Sequence, residues 1–428
     1  MPGSLQSRRT RPNRRVRPGL AAALALVLPT LAVFAPVSAA AASSCSKLVG
    51  NDLFVWRAEN LTAAAAAIER ADPAVLPAYR QLIEDADAAL HRGPYTVTDK
   101  TRAPPSGDLK DYTSLAPYWW PDPDAPDGLP YIRRDGEVNP ERNGDSFDRI
   151  RLRSMARDVQ ALALAAYLGD DDAYANHASL LLRVWFVNAP TRMNPSLDFA
   201  QSIPGRTEGR GIGIIDTAEL IAVVDAIRLL ALNGMLEANT YISLREWFAA
   251  YARWLITDQL GLDERNARNN HGTFYDLQLM LYSMFAGDCK LARRILDDTR
   301  VRIDMQIEGD GSMPLEEART RSLHYTIYNL RAFLQIARLA EHLDIDLYRY
   351  RGRDDEGSIV ATLRLLAGYA GRESSWPHRQ IGRASDRELW MLLRLAATAI
   401  DDPELAAALS RASGRSESDR SVLLTFTP

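Results

Sequence analysis

Asn270 and His271 stand side by side in Arg268-Asn269-Asn270-His271-Gly272-Thr273, directly ahead of the apolar-periodic stretch Phe274 to Phe285. A second polar cluster follows, Glu316-Glu317-Ala318-Arg319-Thr320-Arg321-Ser322-Leu323-His324-Tyr325, with Tyr328 three residues beyond. An amide, an imidazole, a guanidinium and a phenol together suit one kind of chemistry, the removal of a carbon-bound proton beside a carboxylate. In a uronic acid unit that proton sits on C5, and its loss places a second negative charge on the carboxylate. Donors and cations aimed at those oxygens must carry the charge, and an Arg fork binds a carboxylate through two parallel bonds. A base must take the proton and an acid must protonate the departing O4. Tyrosine can do both if a neighbouring positive charge lowers its pKa from about 10.

Each residue also has a plainer reading. Asn270 can be a helix cap and His271 a hydrogen-bonded loop residue, at a helix N-terminus whose free N–H groups favour an anion. Tyr325 and Tyr328, on one face of the next helix, can both be core residues.

The elements that must bring these segments together read as helix after helix. Apolar periodicity predicts helices over Glu59–Ala71, Pro77–Arg92, Ser146–Leu168, Asp171–Phe186, Asp216–Leu232, Asn239–Gln259, Thr273–Ala286 and Asp288–Gln306. Others follow over Ser322–His342, Ser358–Tyr369, Ser385–Ile400 and Pro403–Arg411. Strand-like alternation is confined to Ser421–Phe426. Long helix pairs joined by short turns, without a regular repeat, predict an all-α fold: antiparallel hairpins curled into an (α/α) toroid or incomplete barrel. Two long loops interrupt the pattern, Tyr95–Asp145 and Pro190–Gly213, and both are expected to rim one mouth of the toroid.

Those loops carry the candidate sugar contacts. Sugar C–H faces pack on aromatic rings, which points to Tyr112, Tyr118, Trp119, Trp120 and Tyr131; the plainer alternative is that the tryptophan pair anchors its loop. Arg133 and Arg134 are placed to meet neighbouring carboxylates. Asn194, Gln201, Arg206 and, from a late loop, His378 are further cleft candidates. The six histidines are dispersed, and two distant cysteines make no zinc site. No phosphate-cradling glycine motif occurs, so no metal or cofactor is expected.

Six arginines between Arg8 and Arg17, the apolar run Leu20–Val37 and the small residues Ser38–Ser44 form the three parts of an export signal. The expected organisation is a signal peptide over 1–42 and one catalytic domain over 43–428, exported and free of the membrane once mature. Removing those arginines leaves 45 basic against 55 acidic residues, a net charge of −10. Such a chain is a poor general binder of nucleic acid and takes a polyanion only through a local basic cleft. Cys45 and Cys289 can pair outside the cytoplasm.

The order of motifs resembles the alginate lyase family. Asn270-His271, then Pro314-Leu315-Glu316-x-x-Arg319 and Leu323-His324-Tyr325, carry the resemblance. So do Asp111-Tyr112-x-Ser114-Leu115-Ala116-Pro117-Tyr118-Trp119-Trp120-Pro121-Asp122, Arg192-Met193-Asn194-Pro195 and Gly211-Ile212-Gly213-Ile214-Ile215-Asp216-Thr217. It spans Pro104 to Tyr348 and implies a helical toroid in which Asn270, His271 and Arg319 neutralise the carboxylate and Tyr325 acts as base and acid. The Arg-to-Tyr interval is one residue shorter than in the family's best-studied branch, which leaves Tyr328 and His271 as rival bases. The implied activity is β-elimination on a 1,4-linked polyuronate, mannuronate-rich alginate or glucuronan, because both polymers place the C5 proton and O4 on the same side. Two rivals stand beside it. A helical-barrel glycoside hydrolase would use two carboxylic acids among Asp216, Glu308, Asp310, Glu316 and Glu317; a non-catalytic protein would only hold acidic glycans.

Overall fold

The structure is a computed structural model that describes residues 50, 52–169, 171–352, 357–382, 386–412 and 414–427. The chain divides into Met1–Ala39 and Ala40–Pro428. The first unit, with the expected export signal, lies outside the described residues, as does Cys45. All the elements below belong to the second unit.

The fold is all-α, and helix hairpins wind into the expected toroid. Chain order is α1 (Ala58–Glu69), α2 (Leu76–Leu90), α3 (Arg149–Gly169), α4 (Asp172–Phe186), α5 (Leu220–Leu232), α6 (Ala238–Thr257) and α7 (Gln259–Arg265). Then come α8 (Asn270–Ala286), α9 (Cys289–Gln306), α10 (Pro314–Glu317), α11 (Ser322–Glu341), α12 (Ile359–Ala367), α13 (Asp386–Ala397), α14 (Pro403–Arg411) and α15 (Ser421–Leu424). The last of these corrects the strand expected at Ser421–Phe426. Val422 and Leu423 do bury themselves, but over one short helical turn.

Helix α8 is the hub, packing against α6, α9 and α11. Of its seventeen residues only His271 and Ala286 are not buried. A helix apolar on nearly every side belongs inside a core, and here the sequence leaves one polar side chain at its N-terminal end partly open. That end is pinned from below. Arg302 of α9 pairs with Asp276 at 2.7 Å and donates to the backbone carbonyls of Ala267 and Arg265 at 2.7 and 3.0 Å. Its guanidinium passes so close that a Cβ on Gly272 would lie 2.0 Å from Nη1. Glycine after Asn270-His271 is therefore a packing requirement.

One small sheet joins the two long loops and a second folds the first loop on itself. β1 (Thr113–Leu115) pairs in parallel with β4 (Phe199–Ser202), and β2 (Trp119–Trp120) pairs antiparallel with β3 (Ile132–Arg133). These strands lie inside segments expected to be irregular. They are too short for periodicity to reveal, and they are held by a private core of Leu115, Ala116, Tyr131 and Ile203. A 3₁₀ segment, Gly211–Glu219, precedes α5 and takes up the first residues, from Asp216, of the helix expected over Asp216–Leu232. A Cβ on Gly213 would meet the Ala200 carbonyl at 2.7 Å and one on Gly211 the Leu260 carbonyl at 2.6 Å. The paired glycines thus let this segment lie between β4 and α7.

Candidate active site

A cleft of about 1080 Å³ runs between the loops and the ends of α8 and α11. Asn270, His271, Arg319, Tyr325 and Tyr328 all line it.

Asn270 is the first residue of α8, with Asn269 in the N-cap position. Its backbone N–H donates to Glu316 Oε1 at 2.6 Å, and its amide Nδ2 donates to Glu316 Oε2 at 2.8 Å. One of the free helix N–H groups expected to favour a substrate anion is therefore taken by Glu316. The amide keeps a second hydrogen, and its Oδ1 is buried without a partner. Glu316 itself is buried, which raises its pKa, while the two Asn270 bonds and the Arg319 charge pull it down.

His271 Nδ1 lies 2.8 Å from Glu264 Oε1, and Glu264 is 1 % exposed on α7. A carboxylate at Nδ1 holds the proton there and leaves Nε2 as the free nitrogen in the neutral ring. Gly211 packs against the Glu264 backbone N at what would be 3.1 Å from a Cβ. The 3₁₀ segment thus helps seat the carboxylate that orients the histidine.

Tyr325 sits in the first turn of α11. Its hydroxyl is 2.8 Å from the Tyr118 hydroxyl, and the Arg319 guanidinium lies over its ring, 4.0 Å from the centroid. Burial pushes the Tyr325 phenol well above its ordinary pKa and the Tyr118 oxygen adds to that; Arg319 opposes both and loses. The expected lowering by a neighbouring cation is thus present but outweighed. Tyr328 differs in kind. Its ring stacks on Phe274 with centroids 4.2 Å apart and lies under Arg331, so it serves the packing between α8 and α11.

The remaining predicted contacts separate. Tyr118, Trp119, Arg133 and Gln201 line the cleft. Tyr112 does not: it is 1 % exposed, and its hydroxyl donates to Asp216 at 3.2 Å. Tyr131 is also buried and donates to Glu141 at 2.8 Å. Trp120 donates Nε1 to the Glu137 carbonyl with Arg134 over its ring, which anchors the loop. Asn194 donates to Asp108 and Asp111. Arg206 donates to the Tyr131 carbonyl and packs over Trp119. His378 faces Glu317 at 3.5 Å. None of these residues, Arg134 included, is among those that line the cleft.

Arg142, Arg149, Arg153, Arg210, Arg321 and Arg331 line it instead, beside Arg133 and Arg319. Among the described residues three carboxylates line it with them: Asp216, Glu219 and Glu388. An acidic chain therefore presents a basic cleft. Those carboxylates are already committed. Glu219 pairs with Arg153 at 2.8 Å, Glu388 with His324 at 2.8 Å, and Asp216 accepts from Ser114, Tyr112 and Gln201. Glu316 likewise holds Asn270. Among the described residues no group of three or more His, Cys, Asp or Glu side chains gathers to hold a metal ion.

The family model described as alginate lyase matches residues 96–376, well over half of the chain. An alginate lyase from Bacteroides ovatus superposes with a TM-score of 0.84 at 37% identity, over 89% of this chain and 100% of that one. Alginate lyase A1-III from Sphingomonas species A1 gives 0.53 at 17% identity, over 80% and 90%. A variant of A1-III complexed with tetrasaccharide gives 0.54 at 16%, over 86% and 94%; at such identities the likeness is one of fold. A search of curated proteins finds no significant match.

Proposed function

Because the chain belongs to the alginate lyase family and is a polysaccharide lyase, we propose that it is exported and cleaves a 1,4-linked polyuronate, mannuronate-rich alginate or glucuronan, by β-elimination at this cleft. The observation that carries this reading is the gathering of Asn270, His271, Arg319 and Tyr325 on one basic cleft, with Glu316 and Glu264 holding the first two. The substrate carboxylate meets the second hydrogen of the Asn270 side-chain amide, the His271 ring and the Arg319 fork. Their charge and dipoles are fixed before reaction, so they stabilise the dianion that forms as C5 loses its proton.

Tyr325, as phenolate, takes that proton. The C5–H electrons become the C4=C5 double bond, the C4–O4 bond breaks, and the new phenol returns its proton to O4. One group can serve both ends when the proton and O4 lie on the same face, as in β-mannuronate and β-glucuronate. Guluronate has the opposite arrangement at C5 and is the poorer substrate. Tyr118 keeps the Tyr325 hydroxyl directed into the cleft until sugar enters, and Trp119 offers a ring for a sugar face.

Mass spectrometry of the products tests the reaction type. Elimination gives oligomers with an unsaturated non-reducing end, one water lighter than the products of hydrolysis. Saturated products would refute it.

A further inference from the structure

Beside the catalytic cluster the cleft holds a second positive centre that Tyr325, Asn270 and His271 do not touch. Gln201 is 4 % exposed and holds a left-handed backbone, φ 49°. That conformation costs a non-glycine residue about 1–3 kcal/mol and persists only where surrounding contacts impose it. Here it turns both oxygens of Gln201 toward one side chain. Arg210 Nε donates to the Gln201 carbonyl at 3.0 Å, and Arg210 Nη2 donates to Oε1 at 3.0 Å. Both acceptors are neutral, and among the described residues Arg210 has no ion pair.

Across Asp216 the pattern repeats. Gln201 Nε2 donates to Asp216 Oδ1 at 3.2 Å, and Arg142 Nη2 lies 3.9 Å from the same oxygen. Arg142 is 8 % exposed, and its Nε is buried without any partner. Asp216 thus pairs only loosely with Arg142, makes no contact with Arg210, and already accepts from Ser114 and Tyr112. One positive charge is left over in a desolvated wall, an arrangement that costs stability unless an anion completes it. Burial lowers the pKa of both, that of Arg210 to about 10, as expected of cations short of counter-charge.

We propose that Arg142 and Arg210, set by Gln201 and Asp216, form a second carboxylate subsite that binds the uronate next to the one undergoing elimination. This rests on the polyuronate reading above and adds a requirement to it: the neighbouring sugar must also be acidic. The cleft then selects a run of uronates and rejects a polymer in which uronate alternates with a neutral sugar. Asp216 acts as a positioning residue, neutralising half of the pair and holding Gln201 in place.

Calorimetric binding in a Tyr325→Phe background, where no turnover blurs the titration, tests the subsite with two probes. One is mannuronate oligomer; the other is the same oligomer with about half of its carboxyls reduced to alcohols. Loss of a charge-assisted fork is worth about tenfold or more in affinity. Arg210→Met should therefore weaken intact oligomer by about tenfold and reduced oligomer far less, while Arg210→Lys, which keeps the charge, should fall between. An Arg142→Lys variant guards against a folding defect at one position, since it should narrow the preference for intact over reduced oligomer independently. Equal loss on both probes, or unchanged affinity for the intact one, overturns the proposal. Tight, Arg210-dependent binding by a wild-type protein that forms no unsaturated product would instead overturn the lyase mechanism and leave the subsite standing.

Discussion

The Tyr118 hydroxyl meets the Tyr325 hydroxyl at 2.8 Å, so the long aromatic loop closes directly onto the proposed base. Removing the hydroxyl from Tyr118 should leave the chemistry intact but its geometry less well held. Tyr118→Phe should lower kcat about tenfold, the worth of one hydrogen bond, with the fold unchanged, as steady-state kinetics and circular dichroism would show. Unchanged kcat would leave the contact without a catalytic role.

The two tyrosines of α11 should separate cleanly. A positioned acid–base group contributes about 10²–10⁴ in rate, so Tyr325→Phe should lose at least that while still binding polymer. Tyr328→Phe removes a hydroxyl from a ring stacked on Phe274 and should keep activity within a few-fold. The reverse result would make Tyr328 the base.

Glu316 should matter twice. Glu316→Ala would strip the acceptor from the Asn270 N–H and Nδ2, and each buried orphan donor costs about 1–3 kcal/mol. Urea denaturation should show a loss of about 2–6 kcal/mol from the two orphans together, along with a fall in kcat. Glu264→Ala should spare stability more and lower kcat by about 10- to 100-fold, because His271 would lose the carboxylate that sets its ring.

The toroid was legible because long apolar periods need only local sequence to be recognised. Asn270, His271, Arg319 and Tyr325 were legible because their chemistry is specific and their motifs occur in order. The residues that hold them were not. Glu316 lies 46 positions from Asn270, and nothing local marks it as a partner. Tyr112 and Tyr131 were assigned to sugar because an aromatic loop reads the same whether its rings face a cleft or a core. Here the loop spends Tyr131 on its own small core and Tyr112 on Asp216. Arg210 is held by one left-handed residue, Gln201, which no composition or period signals.

The pH profile follows from the direction of the Tyr325 shift. Burial raises this phenol above its ordinary value, so at neutral pH the free protein holds little phenolate. That fraction grows about tenfold per pH unit below the pKa. Log kcat/KM should therefore climb from neutral pH into the alkaline range without levelling near 10, until the protein unfolds. Arg319 pulls the phenol down more than Arg321 does, so Arg319→Gln should push the requirement for alkali higher still. A bell centred on acid pH would point to a carboxylic acid instead.

Elimination by Tyr325 on a syn-configured polyuronate is tested most directly by the ultraviolet absorbance of the unsaturated product. Polymannuronate, glucuronan and polyguluronate would be supplied separately to wild type and to Tyr325→Phe. Absorbance should rise with polymannuronate or glucuronan, stay near baseline with polyguluronate, and vanish in the variant. A rise with polyguluronate alone, or one that survives Tyr325→Phe undiminished, would contradict this mechanism.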